Sequence, residues 1–466
     1  MLNYKPFIGE CIDISFEGKG VVKTLFGTCF VDGLFIGEKA EIKIEYKKAG
    51  SFFGRVVRLI NKSPNRIQPR CGVCTACGGC QFQHLNYPAQ LDYKTNKVID
   101  AFRRHKVLYN DILSCVGMDD PYNYRNKIQV PIARDPHGHI VTGFYRSGTH
   151  KIIPIDECHI EDKRASHIVN EFKRLIKDFR LEPYNEDNRS GIFRHILIRT
   201  SYHYDEIMVT LVTNVFEFKG KNNFIKEFVK RCPNIKTIVQ NINPRDTNVI
   251  LGEKEKILYG NGVIKDSILG VDFLISSKSF FQVNPIQVEK LYSLAIENSQ
   301  ITKDEDVFDA YCGIGTISLI ASKKAKSVIG VEIVKEAIKD AKNNAKINNI
   351  NNATFICDDA SNVLTEYANE HRRFDCVFID PPRKGVDEKF INALKTVKPK
   401  KVVYISCEPE TLARDLSLLQ DEYEIKYVQP VDMFPFTFHV ETIVLLEKKI
   451  KNRGKIGKNN CFLNIF

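Results

Sequence analysis

The sequence predicts a protein of three folded parts, of which the C-terminal one is an α/β domain with a parallel, doubly wound sheet. Two patterns carry this prediction: strands and helices alternate beyond about residue 300, and apolar and polar residues alternate in short runs near the N-terminus. The chain of 466 residues also exceeds what one hydrophobic core usually supports. We therefore expect two smaller domains ahead of the α/β domain.

The first domain, residues 1–62, is predicted to be a small five-stranded β-barrel. Runs such as ECIDISFEGKGVVK, FVDGLFIGEKAEIKIEY and GRVVRLI alternate apolar and polar residues and contain turn glycines. This pattern is typical of short antiparallel strands. The polar, proline-containing stretch NKSPNRIQPR, residues 61–70, indicates a linker.

The middle domain, residues 63–280, is predicted to be α+β. RNKIQVPIARDPHGHIVTGFYR predicts two strands around a turn, RASHIVNEFKRLIKDF a helix, and HILIRTS and EIMVTLVTN further strands. The α/β domain covers residues 281–446, where DVFDAY, SVIGVE, ATFICD, FDCVFID and KKVVYIS are strands separated by helical runs. The basic tail, residues 447–466, is expected to be disordered.

The charge balance favours a polyanionic partner, since Lys and Arg total 68 against 57 Asp and Glu, a net charge of +11. The N-terminal run MLNYKPFIGECIDISF lacks signal-peptide features, and no stretch reaches the roughly 18 apolar residues that a membrane span needs. We expect a cytoplasmic protein. Its 14 cysteines indicate reduced thiols with a metal site rather than a disulfide framework.

The ends of the predicted parallel strands are where an open sheet binds its ligands. The first strand ends in DAYCGIGT, where Gly313 and Gly315 let the backbone approach a ligand. The second ends in GVE, where Glu332 can accept both hydroxyls of a ribose. A dinucleotide site would need a third glycine, which this loop lacks. Together with Asp309, these residues instead resemble the S-adenosylmethionine site of class I methyltransferases, whose ligand is cationic at sulfur.

Two later strand ends indicate the type of reaction. FDCVFIDPPRKG places Asp380 before two prolines, which form a rigid turn. VVYISCEPETLARD places Cys407 before a run that can start a helix, and a helix N-terminus lowers a thiol pKa. Cys407 is a candidate nucleophile, although its position alone also fits a small packed side chain.

Beside the glycine loop, the motifs FFQVN, DPPR, SCEPETLARD and DMFPFTFHVE resemble those of the RNA uracil-5-methyltransferase family. The resemblance extends from about residue 8 to 446, and the N-terminal domain is similar to that family's TRAM domain, a small OB-like RNA-binding barrel. The resemblance to this family implies a class I, Rossmann-like methyltransferase domain that uses S-adenosylmethionine.

The resemblance also implies a mechanism. Carbon 5 of uracil is too weakly nucleophilic to take a methyl group directly, so a thiolate first adds at carbon 6. Cys407 is the candidate for this addition, and by similarity Glu441 removes the carbon 5 proton. Asp380 could also bond the uracil edge, and Asp358 could serve in place of Asp359 at the cofactor. The residues implied to bind S-adenosylmethionine are Gln282, Tyr311, Gly313, Glu332, Asp359 and Asp380.

The run CGVCTACGGC, residues 71–80, invites several interpretations. A zinc ribbon needs roughly 15 to 20 residues between its two cysteine pairs, whereas only two residues separate the pairs in this run. A redox dithiol would lie next to a helix in a βαβ pattern, which the sequence around this run lacks. The resembling family spaces three cysteines closely and uses a distant fourth around a [4Fe-4S] cluster. By that resemblance the ligands are Cys71, Cys77, Cys80 and Cys158, and Cys74 is an extra thiol. The cluster is expected far from Cys407.

The partner implied by the resemblance is RNA. Members with both a barrel and a cluster usually act on ribosomal RNA, so we expect 23S ribosomal RNA as the substrate, with tRNA as the alternative, and a monomer without a protein partner. An iron-sulfur redox enzyme acting on RNA and a non-catalytic RNA-binding protein are the rival interpretations. The residues considered for RNA contact are Tyr122, Tyr124, Arg125, Lys127, Arg194 and Arg199.

Overall fold

A computed structural model describes residues 4–146, 148–149, 151–246 and 249–450, so most of the predicted tail lies outside the described residues. The N-terminal segment is a closed barrel with the strand order β1-β2-β3-β5-β4, as predicted. Its strands are β1 (Phe7–Ile14), β2 (Gly20–Thr24), β3 (Gly27–Asp32), β4 (Lys39–Lys48) and β5 (Ser51–Leu59).

A mixed seven-stranded sheet forms the middle of the molecule, in the order β12-β11-β10-β9-β6-β7-β8. Helices α2 and α3 bury their apolar residues against one face of it. The strands are β6 (Lys127–Arg134), β7 (Ile140–Tyr145), β8 (Ile152–Pro154), β9 (Phe193–Thr200), β10 (Ile207–Thr213), β11 (Ile235–Ile242) and β12 (Lys254–Tyr259). The helices of this part of the chain are α1 (Tyr87–Arg104), α2 (Lys163–Asp178) and α3 (Lys221–Arg231).

The C-terminal domain is a second seven-stranded sheet, in the order β17-β16-β15-β18-β19-β21-β20, preceded by the hairpin β13–β14. Its strands are β13 (Val263–Ile268), β14 (Val271–Ser276), β15 (Asp306–Ala310), β16 (Ser327–Glu332), β17 (Ala353–Cys357), β18 (Cys376–Ile379), β19 (Lys401–Ser406), β20 (Tyr423–Val431) and β21 (Glu441–Lys448). Its helices are α4 (Pro285–Ser299), α5 (Thr316–Ser322), α6 (Lys335–Ile347), α7 (Ala360–Asn369), α8 (Glu388–Val397) and α9 (Pro409–Leu419).

This sheet is parallel from β17 to β19, but β21 runs antiparallel to both of its neighbours, so the prediction of a wholly parallel sheet is wrong at this edge. Helices cover both faces. One hydrophobic cluster joins the sheet to α1, α7, α8 and α9, and the other joins it to α4, α5, α6 and the hairpin. Helix α1 therefore contributes to the C-terminal core although it precedes the middle sheet in sequence.

A buried ion pair connects α1 to the loop that precedes β21. Lys94 and Asp432 are fully buried, and the ammonium group of Lys94 bonds the Asp432 carboxylate and the Phe434 carbonyl at 3.0 Å. The Tyr87 hydroxyl donates to the second carboxylate oxygen at 2.9 Å. Each charge therefore has partners that offset its loss of hydration.

In the part of the chain that the structure describes, no helix combines the length and apolarity needed to cross a membrane.

Replacing Lys94 with methionine should lower the free energy of unfolding by about 3–5 kcal/mol, because it leaves the Asp432 charge buried and unpaired. Urea denaturation followed by circular dichroism measures the change. Lys400→Met is the matched control, since Lys400 pairs with Asp375 at the surface and should show no measurable effect. Equal effects of the two substitutions would contradict the role given to the buried pair.

Candidate active site

Three neighbouring parallel strands, β15, β18 and β19, end at one edge of the C-terminal sheet. Their registers pair Ala310 with Ile379, and Ile379 with Tyr404. The residues just beyond the strand ends include Tyr311, Asp380 and Cys407. Because the strand order reverses between β15 and β18, this edge is the switch point at which such sheets bind ligands.

The antiparallel strand β21 brings Glu441 to the same place. Ser406 of β19 lies opposite Thr442 of β21, so continuing the register by one residue sets Cys407 beside Glu441. Side chains opposite each other on antiparallel strands have Cβ atoms about 4.5–5.5 Å apart. The thiol and the carboxyl group are thus neighbours although they are distant in sequence.

The two carboxyl groups of the site have pKa values near neutrality. Burial, followed by the charge of Asp380, raises the pKa of Glu441 to about 8, while Arg383 opposes the shift. Burial likewise raises the pKa of Asp380 to about 7. Groups with such pKa values can both accept and release a proton at physiological pH, as a general base must.

The Cys407 thiol does not have the lowered pKa predicted from its place before a helix. Burial, followed by the charges of Glu441 and Asp380, raises its pKa to about 12. These effects outweigh the N-terminus of α9 and the nearby cation Arg383. The thiol is therefore protonated in this state, and its proton must be transferred before the sulfur can attack.

The glycine loop between β15 and α5 has the backbone that its sequence predicts. Gly313 and Gly315 have φ values of +54° and +85°, which favour glycine, and Tyr311 adopts +64° despite its side chain. The Gly313 amide donates to the Glu332 carboxylate at 3.3 Å. This contact orients the Glu332 carboxylate at the end of β16.

Two further acidic residues flank this loop. Asp309 is fully buried, receives a hydrogen bond from Ser318, and has its pKa raised to about 7 by burial. Asp359 caps α7 by accepting from the Ser361 amide at 2.8 Å. Asp358 is exposed and accepts from the Asp359 amide. Asp359 is thus held by its helix, whereas Asp358 faces solvent.

Gln282 is 8% exposed, and its backbone carbonyl accepts a hydrogen bond from the side-chain amide of Asn126 at 3.2 Å. This bond connects the site to the residue that precedes β6 of the middle sheet.

Sequence reasoning missed two neighbours of the site. Tyr292 lies near Gln282, Asp380 and Glu441, and resembles an ordinary core residue of α4 in sequence. The positive charge of Arg383 lowers the pKa values of both Cys407 and Glu441. Its position in the DPPR motif could have identified it as a residue of the site.

The structure gathers the five cysteines of the sequence prediction around one cavity of about 390 Å³. Arg125, Lys127 and Glu161 line the same cavity. Among the described residues, no group of three His, Cys, Asp or Glu side chains has the spacing to hold a metal ion. The cysteines that line the cavity are Cys71, Cys74, Cys77, Cys80 and Cys158.

The cysteine segment is connected to the loop that carries Glu441. The backbone amides of Gln81 and Phe82, directly after Cys80, both donate to the Phe436 carbonyl at 2.9 Å. Phe436 belongs to the loop between Asp432 and Glu441. Two hydrogen bonds therefore join the cysteine segment to the loop ahead of Glu441, while the expectation that the cluster lies far from Cys407 stays a prediction.

The residues considered for RNA contact are mostly engaged inside the protein. Arg194 and Arg199 are buried and donate to backbone carbonyls, so they are not phosphate ligands in this state. Burial lowers the pKa of Lys127 to about 8. Tyr124 is a core residue, while Tyr122 packs between Phe436 and the guanidinium of Arg70.

Comparison with known proteins agrees with this geometry. Residues 86–449 match the family model described as tRNA (Uracil-5-)-methyltransferase. The chain belongs to this family. It is therefore an S-adenosylmethionine-dependent RNA methyltransferase of the uracil-5 type. An uncharacterised RNA methyltransferase of Staphylococcus aureus is 43% identical over 442 residues, which cover 95% of this chain and 98% of that protein.

Two further relatives extend the comparison. An uncharacterised RNA methyltransferase of Halalkalibacterium halodurans is 43% identical over 439 residues, 94% of this chain and 96% of that protein. Among solved structures, the Pyrococcus abyssi tRNA (uracil-54, C5)-methyltransferase bound to S-adenosyl-L-homocysteine has a TM-score of 0.78 and 28% identity. The match covers 94% of this chain and 99% of that one, so it includes part of the barrel.

The raised carboxyl pKa of Glu441 predicts a pH-dependent stability. A carboxyl whose pKa is about 8 when folded and 4.5 when unfolded stabilises the fold fully below pH 4.5, and that stabilisation is lost as pH rises through 8. Glu441→Gln should therefore raise the melting temperature of the ligand-free protein at pH 8.5 relative to wild type, with little difference at pH 4.5. Thermal unfolding at both pH values measures this, and an equal effect at both would contradict it.

Proposed function

We propose that the chain methylates carbon 5 of a uridine in 23S ribosomal RNA, with Cys407 as the nucleophile and Glu441 as the base. The β19–β21 register supports these two roles, because it brings the Cys407 thiol next to the buried carboxyl group of Glu441 at the edge of the sheet where the strands end. The pKa of Glu441, about 8, suits a group that must accept a proton near neutral pH.

The proposed reaction has three steps for these residues. The Cys407 proton leaves to a neighbouring ionised carboxylate, Asp380 or Glu441, and passes on to solvent, so that Glu441 is ionised when it acts as the base. The sulfur then bonds carbon 6, and the electron pair of the ring double bond moves toward carbon 5 and the carbonyl oxygen. After carbon 5 has gained the methyl group, Glu441 removes its proton, the double bond reforms, and Cys407 leaves.

The proposed ligands of S-adenosylmethionine surround the same edge. When bound, the cofactor supplies a methyl group on a positively charged sulfur. Asp309 and Asp380, both enclosed and both with raised pKa values, are suited to a cationic ligand because its charge would favour their ionised forms. Glu332, already oriented by the Gly313 amide, is placed to accept ribose hydroxyls. The remaining proposed contacts are Gln282, Tyr311 and Asp359.

The target uridine must leave its stack to reach Cys407, at a cost of a few kcal/mol. Contacts elsewhere on the RNA have to offset this cost. The barrel is the proposed source of such contacts, since small barrels of this kind bind single-stranded nucleic acid. Its β1–β2 turn lies close to the site, because the Tyr93 hydroxyl donates to the Ser15 carbonyl, and Gly18 approaches Phe438 in the loop before Glu441.

A tRNA uridine is the second candidate substrate. The family model is named for tRNA, and the Pyrococcus abyssi enzyme that matches 94% of this chain acts on tRNA by its description. The barrel therefore does not by itself separate the two substrates. The cysteine run supports 23S ribosomal RNA through the resemblance described above. The monomeric state and cytoplasmic location expected from the sequence stay predictions.

The cysteine cavity is the proposed site of a [4Fe-4S] cluster held by Cys71, Cys77, Cys80 and Cys158. Iron-sulfur clusters are bound by cysteine thiolates, and their ligands stand around a volume rather than converge on one ion. Cysteines that line a cavity of about 390 Å³ fit that arrangement. Cys74 lies 3.8 Å from His84 Nε2, which gives this fifth thiol a partner outside the proposed ligand set.

Labelled S-adenosylmethionine should transfer its methyl group to a uridine of unmodified 23S ribosomal RNA. Cys407→Ala should abolish the transfer, because it removes the proposed nucleophile. The assay is run in parallel on unmodified tRNA, and Cys232→Ala, at the end of α3 in the middle domain, is the control that should keep activity. Label in tRNA alone would replace the proposed substrate but keep the reaction.

Glu441→Gln should accumulate a covalent protein–RNA complex, because the methylated adduct cannot lose its carbon 5 proton and Cys407 cannot leave. Denaturing gel electrophoresis with labelled RNA detects the complex as a band that Cys407→Ala removes. Turnover should fall at least 100-fold. A Glu441→Gln protein with normal turnover would assign the base to another residue.

Anaerobically purified protein should contain about four iron and four sulfide ions per chain. Cys158→Ser should lose most of the iron and the associated visible absorbance, whereas Cys74→Ser should keep both. Iron and sulfide assays with absorption spectra measure this without reference to activity. Equal loss in both variants would show that Cys74 is a ligand, and zinc in place of iron would overturn the proposal.

A further inference from the structure

The outer surface of the N-terminal barrel carries a column of three aromatic rings, those of Phe30, Phe53 and Tyr46. They belong to the neighbouring strands β3, β5 and β4, where Phe30 lies opposite Phe53, and Phe53 lies opposite Tyr46. The ring centres of Tyr46 and Phe53 are 4.8 Å apart with an angle of 7° between the planes, and Phe30 follows Phe53 at 5.5 Å. Cys29 and Phe52, which precede Phe30 and Phe53 in the chain, lie in the barrel core, so the column lies outside it.

A β-bulge places Tyr46 in this column. Ile42 and Ile44 of β4 lie in the barrel core, so strict alternation would turn residue 46 inward as well. The register between β4 and β5 shifts between Ile44 and Tyr46, and the Tyr46 ring lies against Phe53 on the outer surface instead. Bulges re-aim side chains in this way and are common next to functional sites. The outward position of Tyr46 therefore results from a specific distortion of the strand.

The side of the Tyr46 ring that faces away from Phe53 is open. Tyr46 is 49% exposed, whereas Phe30 and Phe53 are partly covered. Strand β1 pairs with β4 only at Lys39–Ile42, so among the described strands Tyr46 has a neighbour on the β5 side alone. A ring that is supported on one side and open on the other is a platform on which a further flat ring can stack.

The charges beside the platform suit an anionic ligand. Lys43, Lys47 and Lys48 of β4 are exposed, and in the part of the chain that the structure describes none of them forms an ion pair. The two acids of the same strand, by contrast, pair with arginines of β5 at 3.3 and 3.8 Å. Uncompensated cations next to an open aromatic ring supply the two contacts that single-stranded nucleic acid makes, phosphate attraction and base stacking.

The column begins near the part of the barrel that approaches the active site. Phe30 lies opposite Val21 of β2, just after the β1–β2 turn. That turn approaches Phe438, in the loop before Glu441, at Gly18. Neighbouring strands are about 4.8 Å apart, so the strand of Tyr46 lies roughly 10 Å from that of Phe30. RNA that continues from the active site over the barrel would therefore meet the column.

We infer that the RNA substrate stacks an unpaired base on the open side of the Tyr46 ring, while the lysines of β4 contact the phosphates beside that base. The inference rests on the proposed function and deepens it, because it names a surface that holds the RNA outside the target uridine. Every base has a π face, so the platform recognises an unpaired stretch rather than a sequence. Bases inside a double helix already stack on each other and do not fit it.

A tryptophan reporter tests the contact directly, because the chain contains no tryptophan of its own. Full-length protein with Tyr46→Trp is titrated with an oligoadenylate of about eight nucleotides, and S-adenosyl-L-homocysteine at saturation keeps adenine out of the cofactor site. Base stacking should reduce the fluorescence by about half or more, whereas duplex RNA of the same length and inorganic polyphosphate should leave it unchanged. Phe216→Trp, at an exposed ring of the middle domain, is the matched control that should show no change.

Two further variants separate stacking from simple apolar contact. Tyr46→Leu keeps an apolar side chain without a π face and should weaken oligoadenylate binding at least about fivefold, measured by fluorescence anisotropy of labelled RNA. Tyr46→Phe keeps the ring and should bind like wild type. An unchanged signal from Tyr46→Trp, equal quenching of Phe216→Trp, equal quenching by duplex RNA, or equal affinities of Tyr46→Leu and Tyr46→Phe would each overturn the inference.

The methyl-transfer assay separates this inference from the proposed function. RNA methylation without oligoadenylate binding would overturn the stacking site alone. Oligoadenylate binding without RNA methylation would overturn the proposed function and keep a single-strand site on the barrel. Where both are observed, Tyr46→Leu should raise the KM for RNA at least about threefold, and Tyr46→Phe should keep the wild-type value.

Discussion

The buried pair of Lys94 and Asp432 is the interaction on which the geometry of the active site depends. Asp432 begins the loop that ends at Glu441, the first residue of β21. Helix α1 holds the start of this loop through Lys94 and Tyr87, and the loop folds back so that its Phe434 carbonyl shares the same ammonium group. Because both charges are fully buried, moving the loop away from α1 would leave each of them unpaired, which holds the start of the loop in place.

The same loop is held from a second direction by the cysteine segment. Phe436 has a φ of +67°, an uncommon conformation for a side chain of this size, and its carbonyl accepts from the two amides that follow Cys80. Cys80 and Cys158 also pack against the hydrophobic cluster to which Phe436 belongs. A cluster in this cavity would therefore order the loop ahead of Glu441, which gives a structural reason for cysteines that take no part in the methyl transfer.

The alternation of strands and helices could be predicted from the sequence, because hydrophobic periodicity and turn residues are local properties of each segment. The identity of Cys407 and Glu441 as candidates came from motifs, but their contact follows from the antiparallel placement of β21, which local pattern does not reveal. Arg199 was misassigned for a related reason. Its charge suggested contact with phosphate, yet β9 lies at the centre of its sheet and all eight of its residues are buried.

Electrostatics favour the uncharged forms of the acidic groups at the strand ends. Burial favours the protonated forms of Asp309, Asp380 and Glu441, and the charge of Asp380 adds to this effect at the other two. Burial, followed by the charges of Glu441 and Asp380, also favours the protonated Cys407 thiol. Arg383 alone offsets little of this. A cationic ligand at the strand ends would shift all four groups toward their charged forms at once, because each feels the same added charge. We therefore expect the proposed nucleophile and base to reach their charged forms when the methyl donor is bound, and the thiol to be less reactive without it.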